Sequence, residues 1–157
     1  MIHIDLSKQI LTLKQDHKII KIYQVSTGSN GPGECNGSGC TPRGKHRIRL
    51  LIGAECPINT VFVERRPTGE IYNAQLAQNF PNRDWILTRI IWLTGLESGK
   101  NRGSNVDTLR RFIYIHGTPE IYPLGIPASH GCIRMHNQDL LDLFGQVQNG
   151  TEVNIEE

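Results

Sequence analysis

Helical periodicity is clear in one stretch of this chain. Over Asn137–Val147, the residues Leu140, Leu141, Phe144 and Val147 make a single apolar stripe. Elsewhere apolar residues come in short runs or alternate with polar ones, the pattern of strands. Ile2, Ile4 and Leu6 alternate, and the runs Ile10–Leu13 and Ile19–Val25 flank Gln15-Asp16-His17-Lys18 as a hairpin. Ile48, Leu50 and Ile52 alternate with Arg47, Arg49 and Leu51, which makes a strand with one basic face. Further strands are predicted at Thr60–Glu64, Ile86–Leu93, Phe112–Ile115 and Glu152–Ile155. Asn137 is placed to cap the helix, Asp139 supplies early negative charge, and Asn149-Gly150 turns the chain into the last strand. The expected fold is mostly β: one domain over residues 1–157, sandwich- or barrel-like, with one short helix.

A chain of 157 residues can bury a self-sufficient core without disulfide or metal staples. The formal charge is only +2, so bulk electrostatics point to neither nucleic acid nor an anionic membrane. Arg43, Lys45, His46, Arg47 and Arg49 do cluster, which reads as a solvated strand face or as a patch that attracts an acidic ligand. No segment approaches the ~18 apolar residues of a membrane span. Met1-Ile2-His3-Ile4-Asp5-Leu6 has neither a basic start nor a long apolar run. The sequence as written is therefore expected in the cytoplasm, and in the periplasm or cell wall where a leader precedes it. Cys35, Cys40, Cys56 and Cys132 are expected as thiols in a reducing compartment, with Cys35 and Cys40 able to pair only in an oxidising one. Residues 26–45, with six glycines and two prolines, read as a long loop, and loops of that length in compact domains are usually functional or disordered.

Chemistry concentrates at Ser129-His130-Gly131-Cys132-Ile133-Arg134, with His116-Gly117 upstream. A nucleophilic cysteine needs a base to take its proton and cationic or dipolar neighbours to hold the anion. An isolated cysteine is most often a small buried hydrophobe. Cys132 instead lies between a predicted strand ending at His116 and the helix, beside a glycine that lets backbone approach a substrate. N–H groups around Gly131 and Cys132 would face the oxyanion of a tetrahedral intermediate. His116 is the expected base, with its second nitrogen held by a carbonyl near Gly117 or by the Ser129 hydroxyl. His130 is expected to shape the pocket or the field at the thiolate. Arg134 would pair with a substrate carboxylate or with Asp139, and Tyr114 and Tyr122 would pack or line a wall.

The run IHGTPEIYPLGIPASHGCIRMHNQDLLDLF resembles the signature of the L,D-transpeptidase (YkuD-type) catalytic domain. The similarity continues upstream through Ser26-Thr27-Gly28 and Gly39–His46. The resemblance implies Cys132 as nucleophile and His116 as base. Ser129, His130, Gly131 and Gly117 would then shape the site, with Arg134 and Tyr114 binding substrate. The implied substrate is a peptidoglycan stem tetrapeptide or free muropeptide, cleaved between the third residue, commonly diaminopimelate, and D-alanine. The thioester would be resolved by water, as an L,D-carboxypeptidase, or by an amine, as an L,D-transpeptidase forming 3-3 cross-links. The cytoplasmic expectation tilts this toward hydrolysis. A non-catalytic murein-peptide binding module is the alternative from another class, and it would have no use for both Cys132 and His116.

No cofactor or metal is implied. Gly39–His46 superficially matches G-x-x-x-x-G-K, but His46 replaces the required Ser/Thr, Pro42 interrupts the loop and a strand follows. Cys35, Cys40, His46 and Cys56 lack the paired spacing of a zinc site.

Overall fold

The computed structural model describes all residues, Met1–Glu157. Ten strands follow in chain order: β1 (Ile2–Asp5), β2 (Ile10–Gln15), β3 (Lys18–Ser26), β4 (Gly44–Ile52), β5 (Thr60–Val63), β6 (Arg66–Ile71), β7 (Ile86–Gly95), β8 (Tyr114–Gly117), β9 (Ile133–Met135) and β10 (Glu152–Glu156). Two α-helices join them, α1 (Ala74–Asn79) and α2 (Asn137–Phe144). The sheet order is β4-β10-β1-β2-β3-β9-β8-β7-β5-β6, and β4 also pairs with β7. That last pairing closes eight strands into a barrel and leaves β5–β6 as a hairpin on its wall. Closure removes the unpaired edges that an open sheet of this size would expose.

The period-2 patterns point inward as expected. Ile2, Ile4, Leu11, Val25, Ile48, Leu93, Ile115, Ile133, Val153 and Ile155 belong to one buried cluster that fills the barrel. Leu140 and Leu143 of α2 join the same cluster, with Phe144 and Val147 packed against it. The basic cluster divides as its alternation requires: Lys45, Arg47 and Arg49 are exposed, whereas His46 is buried between the Gly44 carbonyl and the Thr108 hydroxyl, both at 2.9 Å.

Four expectations need correction. Asn137 does not cap α2. It is the first helical residue and is buried, with its amide spanning Thr88 of β7, Asn59 and Thr118, so the side chain ties a strand and two loops together instead of closing its own turn. The strand expected from Phe112 begins at Tyr114, because Phe112 sits at φ +57°, outside the extended region of the β conformation. His116 therefore lies within β8 and Gly117 ends it. The β6, β9 and α1 segments carried no recognised signal. The β6 segment is nearly all exposed, β9 is only three residues, and α1 buries none of its residues. Finally, α2 stops at Phe144, three residues short of the predicted end.

Candidate active site

Two short strands build the site. The strands β8 and β9 run parallel, with Ile115 opposite Ile133 and His116 opposite Arg134. Both are buried at every position, as a parallel pair inside a closed wall must be. The register places Cys132, the residue before β9, beside Tyr114. The Tyr114 N–H donates to Cys132 Sγ at 3.3 Å, and the thiol donates to the Phe112 carbonyl at 3.3 Å. Cys132 and His116 line one pocket of about 360 Å³ together with Ser129, His130, Tyr114 and Arg134. A larger cavity of about 540 Å³, beside Lys14, Ile20 and Val147, contains no cysteine, histidine or carboxylate in its lining.

The turn before Cys132 is held from several directions. Gly131 has φ +128°, and a Cβ there would stand 3.0 Å from the Cys40 carbonyl, so glycine is required by conformation and by space. Ser129 Oγ accepts the Gly131 N–H at 3.1 Å and donates to the Cys132 carbonyl at 2.6 Å. Thr41, fully buried, donates to the Gly131 carbonyl at 2.8 Å and accepts the Gly28 N–H at 2.9 Å. The Gly131 N–H is thus committed, while the Cys132 N–H donates to no group. Of the two oxyanion donors expected from the motif, one is free.

His116 is oriented by the Gly117 carbonyl, 2.7 Å from Nδ1. Carbonyls only accept, so Nδ1 carries the hydrogen and Nε2 presents a lone pair with no hydrogen-bond partner. Of the two orienting groups the sequence suggested, Ser129 is excluded, because its hydroxyl closes the Gly131 turn. Gly117 itself lies so close to Asn137 Oδ1 that a Cβ would collide with it, which ties β8 to the start of α2.

Arg134 does not pair with Asp139. Its Nη2 lies 3.4 Å from Asp84 Oδ1 and its Nη1 donates to the Ala128 carbonyl at 3.1 Å, with the guanidinium over the Tyr122 ring. His130 is exposed at the rim, with Nδ1 3.5 Å from the same Asp84. Tyr114 is nearly buried, edge-on to Trp92, and its phenol oxygen accepts from Arg65 Nη1 at 3.1 Å. Four charged pocket residues escaped the sequence reading, Glu64, Arg65, Asp84 and Arg111. Asp84 and Arg65 precede the motif by tens of residues and sit in no pattern. Arg111 binds the carbonyls of Gly33, Glu34 and Cys40 and the Ser38 hydroxyl, fixing the glycine-rich loop against the pocket.

Burial dominates the protonation of the two central groups. It pushes the Cys132 thiol up to about 12, against the opposing Tyr114 N–H and the Arg134 and Arg111 charges. Burial also holds His116 below the ordinary histidine value, despite the Gly117 carbonyl. At neutral pH the site therefore holds a thiol and a neutral imidazole, not an ion pair.

A sequence model of the L,D-transpeptidase catalytic domain (YkuD) matches residues 1–155. The chain is 54% identical over 41 residues to the putative L,D-transpeptidase YkuD of Bacillus licheniformis, covering 26% of this chain and 25% of that protein. It is 28% identical over 123 residues to the probable L,D-transpeptidase YbiS of Escherichia coli K12, covering 71% of this chain and 39% of that protein. Its fold is similar to L,D-transpeptidase 3 from Mycobacterium tuberculosis, whose crystal structure is in complex with a faropenem-derived adduct. The TM-score is 0.56 at 16% identity, over 99% of this chain and 59% of that one. The chain thus spans less than two thirds of the length of each of these proteins.

Proposed function

Because the chain belongs to the L,D-transpeptidase catalytic-domain (YkuD) family, we propose that it performs cysteine-dependent acyl transfer on peptidoglycan stem tetrapeptides. The observation that carries this reading is one pocket holding the Cys132 thiol, a free Cys132 N–H and a His116 whose Nε2 lone pair is uncommitted.

In the proposed reaction the substrate carbonyl, that of the third stem residue, enters against Sγ. His116 Nε2 takes the thiol proton as the S–C bond forms, and the Cys132 N–H donates to the developing oxyanion. Collapse breaks the C–N bond, and the imidazolium returns the proton to the leaving D-alanine amine. The resulting thioester is resolved by water, giving a tripeptide, or by an acceptor amine, giving a cross-link. The same imidazole deprotonates either one. Since the resting pair is neutral, proton transfer accompanies attack and no thiolate stands exposed between turnovers.

The test is incubation with disaccharide-tetrapeptide, with and without excess acceptor, followed by mass spectrometry. Release of D-alanine that depends on Cys132 supports the reading, and the second product separates hydrolysis from cross-linking. No D-alanine release from a folded protein with an intact thiol would reject it.

A further inference from the structure

Three guanidiniums line the Cys132 pocket, and two of them have partners at both terminal nitrogens, although Arg134 Nε is buried without one. Arg134 is held by Asp84 and the Ala128 carbonyl, and Arg111 by four acceptors of the glycine-rich loop. Arg65 differs. Of its five N–H donors it uses one, to the Tyr114 phenol, and no carboxylate pairs with it. Its flat faces are fixed by aromatic stacking instead, with Cζ 4.5 Å from the Phe112 ring centroid and 5.1 Å from that of Trp92.

The backbone pays for this placement. Glu64 and Arg65 make the two-residue turn between β5 and β6, with φ +49° and +65°. Hairpin turns of that hand favour Asn-Gly, because both central residues must adopt φ above zero. Phe112, which stacks on Arg65, also has positive φ, at +57°. Strained residues of this kind persist where the surrounding structure over-determines them, and they gather at ligand sites. A guanidinium held in one plane by aromatic rings, with its edge donors unspent, suits a planar anion.

Tyr114 connects this group to the nucleophile. Its N–H donates to Cys132 Sγ and its phenol accepts from Arg65, so thiol and guanidinium lie at the two ends of one tyrosine. We propose that Arg65 is the carboxylate receptor of this pocket, taking a free carboxylate of the acyl donor about one tyrosine's length from the carbonyl under attack. The identity of the donor rests on the acyl-transfer reading above, whereas the receptor geometry does not. Two carboxylates share the required chemistry: the terminal one on the leaving residue, and one at the end of the donor's side chain.

The test uses reagents that need only the thiol. N-bromoacetyl-D-alanine and N-bromoacetyl-6-aminohexanoate alkylate Cys132 by displacing bromide, and each is compared with its own amide. The carboxylate-to-amide rate ratio cancels any change in thiol acidity, because both members meet the same sulfur. The ratio in the unmodified protein should exceed that for free cysteine at one of the two lengths, and that length identifies the carboxylate. Arg65→Gln should lower it by roughly tenfold to a hundredfold, the value of a charge-assisted hydrogen bond, and Arg65→Lys should keep part of it. If Arg65→Gln does not fold, the ratio in the unmodified protein against free cysteine still decides. A failed muropeptide assay with an Arg65-dependent ratio would reject the donor and keep the receptor. Ratios no higher than those of free cysteine at both lengths, or ratios unchanged in Arg65→Gln, would overturn the proposal.

Discussion

Thr41→Val tests how the glycine-rich loop supports the nucleophile. Valine has nearly the same shape as threonine, so the change removes two hydrogen bonds with little effect on packing. It leaves the buried Gly28 N–H and Gly131 carbonyl without their partner at 2.9 and 2.8 Å. Each stranded group costs about 1–3 kcal/mol, partly offset by the added methyl, so the net loss should be about 2–4 kcal/mol. Urea unfolding should show a lower midpoint at unchanged slope. The local consequence is sharper, because the Thr41 bond restrains the turn that holds the Cys132 N–H. Bromoacetamide alkylation of Cys132 should therefore change in rate, while that of exposed Cys35 should not. Thr41→Ser keeps the hydroxyl and should lose about 1 kcal/mol or less with normal alkylation. A Thr41→Val protein with wild-type midpoint and wild-type Cys132 kinetics would refute the coupling between loop and turn.

Cys132→Ala should abolish D-alanine release and any penem or carbapenem adduct seen by intact mass, while the protein stays folded. Cys35→Ser, Cys40→Ser and Cys56→Ser should retain both, and an adduct on any of these three would contradict the site. His116→Ala should slow acylation by about 10²–10⁴-fold, recovering in part as pH climbs toward the thiol's own value of about 12. His130→Ala should be milder, since it stands at the rim, and the reverse order of severity would reject the base assignment. The unmodified protein should show an acid limb below the ordinary histidine value and a plateau through mild alkali. His46, held at about 4 by burial, makes the fold acid-sensitive. Its folded value is depressed, so its contribution is complete above the unfolded value of about 6.5. That contribution, of order 3 kcal/mol, is lost as pH falls toward 4. Urea titrations at pH 7 and 4.5 should show the loss, with a shallower dependence in His46→Gln.

The barrel was legible where burial is one-sided over several residues. Ile2/Ile4 of β1, Ile48 of β4 and Val153/Ile155 of β10 alternate because one face of each strand meets the core and the other meets water. The same logic explains what was missed. In β9 all three residues are buried on both faces, so no alternation exists to read. In β6 the residues are almost all exposed, and the strand exists because β5 supplies its hydrogen bonds. Asn137 shows a local rule losing to tertiary demand. Its residue type favours a cap, yet Thr88, Asn59 and Thr118 need an amide at that point, and a buried polar group goes where its partners are.

At the site, the residues adjacent in sequence were readable and the long-range electrostatics were not. A cysteine next to Gly131 and near Arg134 has the local parts of an activated thiol. Arg134, however, spends its charge on Asp84, about 50 residues away in sequence, and Arg111 spends its donors on the loop at 33–40. What remains is desolvation, which keeps Cys132 protonated and His116 neutral. A half-buried thiol beside a neutral imidazole is poorly reactive toward adventitious electrophiles, because only the thiolate is a strong nucleophile. Attack then requires a ligand that brings its own compensation, a carbonyl whose oxyanion meets the free Cys132 N–H as the proton moves to His116. Under that reading selectivity resides in the same burial that raises the thiol's pKa. A substitution that admits water to the pocket should make Cys132 more reactive toward small alkylating reagents while making it slower toward its peptide donor.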